Sequence, residues 1–166
     1  MAVTGRGEGR LSAFAKQLGS SVELLTLPGN AADPEGWREM VLTNVLGPAL
    51  LIRSALPHLK QTRGRVVLVG SVAGIVHTPG NFYGATNWAL TGLAENARRM
   101  VTSDGVGVTL IAPGRVETPF WDGLGHLPDG QLLTADELAA SLVWAINQPS
   151  GVDVNTVVVR PVGQPV

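Results

Sequence analysis

Three short apolar runs constrain this chain more than any other feature: RVVLVG at 65–70, VGVTLIA at 106–112 and VNTVVVR at 154–160. Near-continuous β-branched runs of that length are the pattern of strands covered on both faces in a parallel sheet. Between them lie longer stretches with helical spacing. In 82–103 the apolar side is Trp88, Leu90, Leu93, Ala94, Ala97 and Val101. Thr134-Ala-Asp-Glu137 reads as a capping box that opens a helix to about Ile146. Upstream, Asp33-Pro34-Glu35 supplies an N-cap, a first-turn proline and an acid at the positive end of a helix running to about Lys60. Gly47-Pro48 and Pro57 are expected to bend that helix. The front of the chain predicts a helix over 10–18, stopped by Gly19, and a strand over 22–27, ended by Pro28-Gly29. Strand and helix alternate, so the pattern predicts one α/β domain over 1–166, with a parallel sheet flanked by helices and right-handed crossovers.

Composition narrows the function. At 45% hydrophobic and 15% charged, the chain is not a disordered one, and 21 Gly and 11 Pro are scattered rather than periodic. The net charge of −1, with no basic stripe, predicts no nucleic-acid partner. With no Cys, there is no disulfide scaffold or thiolate site, and a cytoplasmic location is expected. The three His, at 58, 77 and 126, lack ligand spacing, so no metal site is expected. No signal sequence is read in the first residues. The uncharged stretch 66–94 carries too many polar and helix-breaking residues for a lipid-facing helix, so no membrane partner is expected.

In open parallel sheets, ligands bind past the carboxyl ends of the strands. Ser71 follows the first run, and Pro113-Gly-Arg-Val-Glu-Thr118 follows the second. Tyr83, the only Tyr, opens the helix between them, twelve residues after Ser71. Ser71 and Tyr83 would face one cleft if the loop between them folds back. From about Trp37 to the C-terminus these motifs, in order, resemble the short-chain dehydrogenase/reductase family. Thr43-Asn44-Val45-Leu46-Gly47 resembles the segment carrying the family's helix Asn. Gly70-Ser71-Val72-Ala73-Gly74 resembles its catalytic Ser segment, and Tyr83-Gly84-Ala85-Thr86-Asn87 stands where the family has Tyr-x-x-x-Lys.

The resemblance implies a Rossmann-like fold and an oxidoreductase that moves hydride between NAD(P)(H) and a small alcohol or carbonyl compound. Tyr83 would exchange a proton with the substrate oxygen, Ser71 would orient that oxygen, and Asn44 would hold a water. Tyr83 and Asn87 would meet the nicotinamide ribose, and Pro113, Gly114, Val116 and Thr118 would line the nicotinamide and its phosphate. The resemblance also implies a homo-oligomer formed through the helices at 37–60 and 82–103. His77, His126, Phe120 and Trp121 would lie around the mouth of the cleft.

Two departures stand beside these matches. Asn87 replaces a Lys whose charge would favour the phenolate. The glycine loop is only partly present in Thr4-Gly-Arg-Gly-Glu-Gly-Arg-Leu11. This segment better resembles the family's second strand and following helix. Arg6 then takes the place of an adenosine 2′-phosphate contact, and Asn30 lies at the adenine end of the third strand. On that alignment the domain is incomplete, its N-terminal cofactor half truncated, with the first and fourth strands missing. The strand at 22–27 is expected to slide in beside 65–70, with Ala2 to Thr4 outside it, leaving one sheet face bare of helices. The departures leave a second reading open, a catalytically inactive member that serves as an interaction or structural module.

Overall fold

The computed structural model describes residues 2–5, 9, 12–13, 16, 25–28, 36–77, 82–123 and 127–164. Most of the helix expected at 10–18, the Asp33-Pro34-Glu35 cap, Arg6, Asn30 and His126 lie outside the described residues. The described residues form two parallel sheets. Strands β1 (Ala2–Gly5) and β2 (Leu25–Pro28) pair in the register Ala2 to Leu25. Strands β3 (Arg65–Val69), β4 (Gly107–Pro113) and β5 (Thr156–Val159) form the second sheet in that order. Val69 is level with Ile111, and Ile111 with Val157.

The strand at 22–27 therefore does not join β3. Among the described residues, β2 pairs only with β1, and the far edge of β3 pairs with no strand. Gly107 N–H donates to Gly64 O and Gly70 N–H to Ile111 O. In a parallel ladder this turns the even residues of β3 toward β4, and the backbone groups of Arg65, Val67 and Val69 toward the free edge. Among the described residues RVVLVG is thus an edge strand, with helices on both of its faces, and Val69 is 51% exposed.

Helix α1 (Trp37–Thr62) does not break at Gly47-Pro48. It runs α-helical over Trp37–Val41, π-helical over Leu42–Leu46 and α-helical again over Gly47–Thr62. A proline has no N–H for the preceding turn, and its ring crowds the carbonyl four residues back. Here that carbonyl belongs to Asn44, and the wider π turn takes up the misfit. By length and composition α1 could cross a bilayer. In this fold Ile52 and Leu56 instead pack into the core beneath helix α2 (Phe82–Val101).

The core lies between α1, α2 and one face of the sheet. Leu68, Val106, Val108 and Leu110 meet Ile52, Leu56, Leu90, Ala94, Ala97 and Val101 there. Thr109 and Ile111 are equally buried but stand outside that cluster. Side chains alternate along a strand, so these two face the other side, where helix α3 (Ala135–Ile146) packs on β3, β4 and β5. The second face is therefore covered, not bare. With the three strands advancing in one direction and the helices on opposite faces, the two crossovers have opposite hands, where the pattern predicted one. Thr134 and Glu137 form the expected capping box of α3: Glu137 N–H donates to Thr134 Oγ1 at 3.2 Å and Thr134 N–H to Glu137 Oε2 at 2.7 Å.

Candidate active site

The site is assembled at the carboxyl end of β3 and β4. Past Val69 the chain turns at Gly70 into Ser71, which is extended and caps a single 3₁₀ turn, Val72–Gly74. The Ser71 Oγ accepts the Ala73 N–H at 3.2 Å. Gly74 sets the turn directly on α2: a Cβ there would lie 2.6 Å from the Asn87 carbonyl oxygen, so no larger residue fits. The Thr91 hydroxyl donates to Gly74 O at 3.0 Å and closes the joint. In this way the Ser71 segment is fixed to the helix that carries Tyr83.

Tyr83 sits in the first turn of α2. Its backbone carbonyl accepts two side-chain donors, Thr86 Oγ1 at 2.9 Å and Asn87 Nδ2 at 2.9 Å. Thr86 and Asn87 are each 3% exposed. From the π turn of α1, Asn44 Nδ2 donates to Thr86 Oγ1 at 3.0 Å. Asn44, Thr86 and Tyr83 therefore form a chain of hydrogen bonds from α1 into the first turn of α2. One N–H of the Asn44 amide goes to the Thr86 hydroxyl and one N–H of the Asn87 amide to its own helix, which leaves each amide a second N–H and its oxygen.

Asn44, Gly70, Tyr83 and Asn87 line one cavity of about 270 Å³. That lies just under the range of about 300–1,000 Å³ typical of drug-sized ligand sites, so it has room for a ring or a short alcohol. Ser71 adjoins this cavity through Gly70 without being part of its wall. Over Tyr83 lies an aromatic cover. The Phe120 ring is tilted on the Tyr83 ring with centroids 6.0 Å apart, and Trp121 meets Phe120 edge-on at 5.1 Å. Trp121 Nε1 donates to Val116 O at 2.7 Å, which ties the cover to the loop after β4.

That loop is held by the chain's own later segments. Gly114 N–H donates to Val159 O at 2.7 Å, and Arg115 N–H to Gln164 Oε1 at 2.9 Å. A Cβ at Gly114 would meet the Gln164 side chain, which would have to shift to admit it. Val116 bridges to Leu133, and Thr118 Oγ1 accepts the Phe120 N–H at 3.4 Å. His77 is exposed and stacks on Trp88 at 5.2 Å, away from the cavity wall.

Sequence reasoning missed Thr86, Thr91, Gly74 and Gln164. Thr86 had a signal, because a helical Thr three residues after another residue can reach that residue's carbonyl. Gln164 had none, since its partner lies 49 residues away.

The short chain dehydrogenase family model matches residues 3–126. An uncharacterised oxidoreductase of Staphylococcus epidermidis is 36% identical over 130 residues, covering 77% of this chain and 56% of the relative. Serine 3-dehydrogenase of Agrobacterium fabrum is 32% identical over 157 residues, covering 87% of this chain and 62% of that enzyme. The chain thus spans little more than half the length of these curated relatives. A closed form of serine dehydrogenase solved with NADP+ superposes with a TM-score of 0.79 at 24% identity, covering 99% of this chain and 86% of that one. The fold, the ordered motifs and these matches together place the chain in the short-chain dehydrogenase family of oxidoreductases.

Proposed function

We propose that this chain carries a hydride-transfer site acting with NAD(P)(H) on a small alcohol or carbonyl compound. The observation that carries the proposal is the shared cavity, where Asn44, Tyr83 and Asn87 meet under the Phe120–Trp121 cover. The donor set fits the nicotinamide end of a dinucleotide. An open pocket of ring size is bordered by an amide, a phenol and a glycine at the end of β3. Tyr83, Asn87, Pro113, Gly114, Val116 and Thr118 would hold that end, and Arg6 and Asn30 would meet the adenosine end. When bound, the coenzyme supplies or accepts a hydride.

The chain's own residues do the rest. Tyr83 exchanges a proton with the substrate oxygen through its hydroxyl, and Ser71, whose oxygen accepts the Ala73 N–H, donates its own O–H to that oxygen. Asn44 and Thr86 fix the Tyr83 turn, and the Phe120 ring rests against the Tyr83 ring. Asn87 contributes hydrogen bonding without charge, so proton transfer relies on Tyr83 unassisted by a nearby ammonium. The reading of an inactive module draws no support from the relatives, which are named as oxidoreductases or dehydrogenases.

The proposal extends to a single domain over 1–166, a cytoplasmic location and self-association through 37–60 and 82–103, where Trp37, Leu50, Trp88 and Met100 stay exposed. The test is a fluorescence titration with NADPH and NADH, followed by coenzyme-linked oxidation of small hydroxy compounds, L-serine first. Saturable binding and turnover that Tyr83→Phe abolishes while binding persists are expected. No binding at millimolar coenzyme rejects the proposal.

A further inference from the structure

An Asp-Gly peptide step can rearrange without an enzyme, because the glycine nitrogen has no side chain beside it to hinder attack on the preceding carboxyl carbon. The chain has three such steps, at 104–105, 122–123 and 129–130. The fold treats them differently. Asp104 closes the 3₁₀ turn Thr102–Asp104; its carboxylate pairs with Lys60 Nζ at 2.8 Å, and the Gly105 N–H donates to Thr102 O at 3.1 Å. Both reacting groups there are already engaged. Asp122 lies inside the 3₁₀ turn Pro119–Gly123. A helical backbone holds the next amide nitrogen off the line of attack on the side-chain carbon, so that turn must unwind before it can react.

Asp129 and Gly130 instead form an exposed bend. Among the described residues, no hydrogen bond or ion pair holds the Asp129 carboxylate or the Gly130 N–H. Gly130 has φ 95°, and a Cβ there would meet nothing within 4 Å, so no packing fixes the bend. One bond does reach it: Arg115 Nη1 donates to Asp129 O at 2.7 Å. That oxygen belongs to the same peptide group as the Gly130 nitrogen. A cation on the oxygen draws electron density out of the amide and favours loss of the N–H proton, since the negative charge that results rests largely on the oxygen. Arg115 is itself anchored, its N–H to Gln164 Oε1 and its carbonyl to the Leu133 N–H, both at 2.9 Å.

We propose that Asp129-Gly130 is a modification site, where the chain closes to a succinimide and reopens as isoaspartate, promoted by Arg115. The Gly130 nitrogen gives up its proton and bonds to Cγ of the protonated Asp129 carboxyl, whose hydroxyl leaves, so that one water is released. A water then adds to one of the two ring carbonyls. Breaking the nitrogen–Cγ bond restores aspartate. Breaking the bond between the nitrogen and the Asp129 backbone carbonyl carbon leaves the chain running through Cβ and Cγ and frees the former carbonyl as a carboxylate. Nothing is oxidised or reduced, and the mass returns to its starting value. The oxygen that Arg115 holds becomes part of that carboxylate, so a contact to a neutral group becomes an ion pair.

The test incubates the full chain at neutral pH and locates isoaspartate by electron-transfer fragmentation of its peptides, with a parallel sample unfolded in guanidinium chloride. In the folded chain isoaspartate is expected to accumulate at 129, and at least about tenfold more slowly at 104 and 122, where the turns must first open. In denaturant the three steps are expected to react at similar rates. Arg115→Leu, verified as folded by circular dichroism, is expected to slow the reaction at 129 by roughly three- to tenfold in the folded chain and to leave it unchanged in denaturant. No isoaspartate at 129, or equal rates at all three steps in the folded wild type, overturns the site. A folded Arg115→Leu chain that reacts at 129 as fast as wild type or faster overturns the role of Arg115.

Discussion

At the scale of single residues, position 87 carries the chemical question. Asn87 is buried against the Tyr83 carbonyl and also lines the cavity, so a longer cationic side chain there has a route toward the pocket. A cation near a phenol moves its ionisation by roughly 1–3 pH units, which corresponds to roughly ten- to a thousandfold in rate. Asn87→Lys is expected to raise coenzyme-linked turnover within that range and move the rate profile to lower pH. An unchanged rate in a variant that still binds coenzyme would show that the missing charge does not limit the reaction. Thr86 is the residue whose loss is purely geometric. Thr86→Val keeps the shape but leaves the Asn44 amide without its acceptor, at a cost of about 1–3 kcal/mol. Urea unfolding should show that loss, with Thr86→Ser close to wild type.

At the scale of elements, the site depends on two joints. One is the π turn, Leu42–Leu46, which takes up the Pro48 ring and carries Asn44 to Thr86. The other is Gly74 against α2, with the Asn87 carbonyl 2.6 Å from where a Cβ would stand. Gly74→Ala must push the Ser71 turn off the helix. It is expected to cost about 1–3 kcal/mol by thermal or urea unfolding and to lower turnover further by displacing Ser71. A variant with wild-type stability and rate would show that the joint is softer than its geometry. Both joints were only half legible in the sequence. The prolines at 48 and 57 announced a distortion in the right helix, but not that it would be a π turn. Gly74 fell inside a recognisable motif without showing what it touches.

At the scale of the molecule, the three-stranded sheet ends at β3 among the described residues, with Val69 51% exposed and the backbone of Val67 and Val69 turned outward. An open edge with apolar side chains is a template for pairing between chains. Val69→Lys is expected to reduce aggregation on light scattering while leaving any defined oligomer formed through 37–60 and 82–103 intact. Aggregation that persists at the same level would place the sticky surface elsewhere, with the exposed Val143, Trp144 and Ile146 of α3 the next to examine.

The sequence by itself determined the elements and their order. β-branched runs and helical spacing are local patterns, read from neighbours a few residues apart, and the capping box at Thr134 is equally local. The family motifs were legible for the same reason, since each is a short string at a known place relative to a strand. Tertiary structure decided what depends on distant partners. It paired β2 with β1 alone, away from the edge of β3, and put α3 on the second face, the Asn44 amide on Thr86 and Gln164 on the loop after β4. Pairing and burial are settled by competition among all surfaces of the folded chain, and no local spacing records the outcome of that competition.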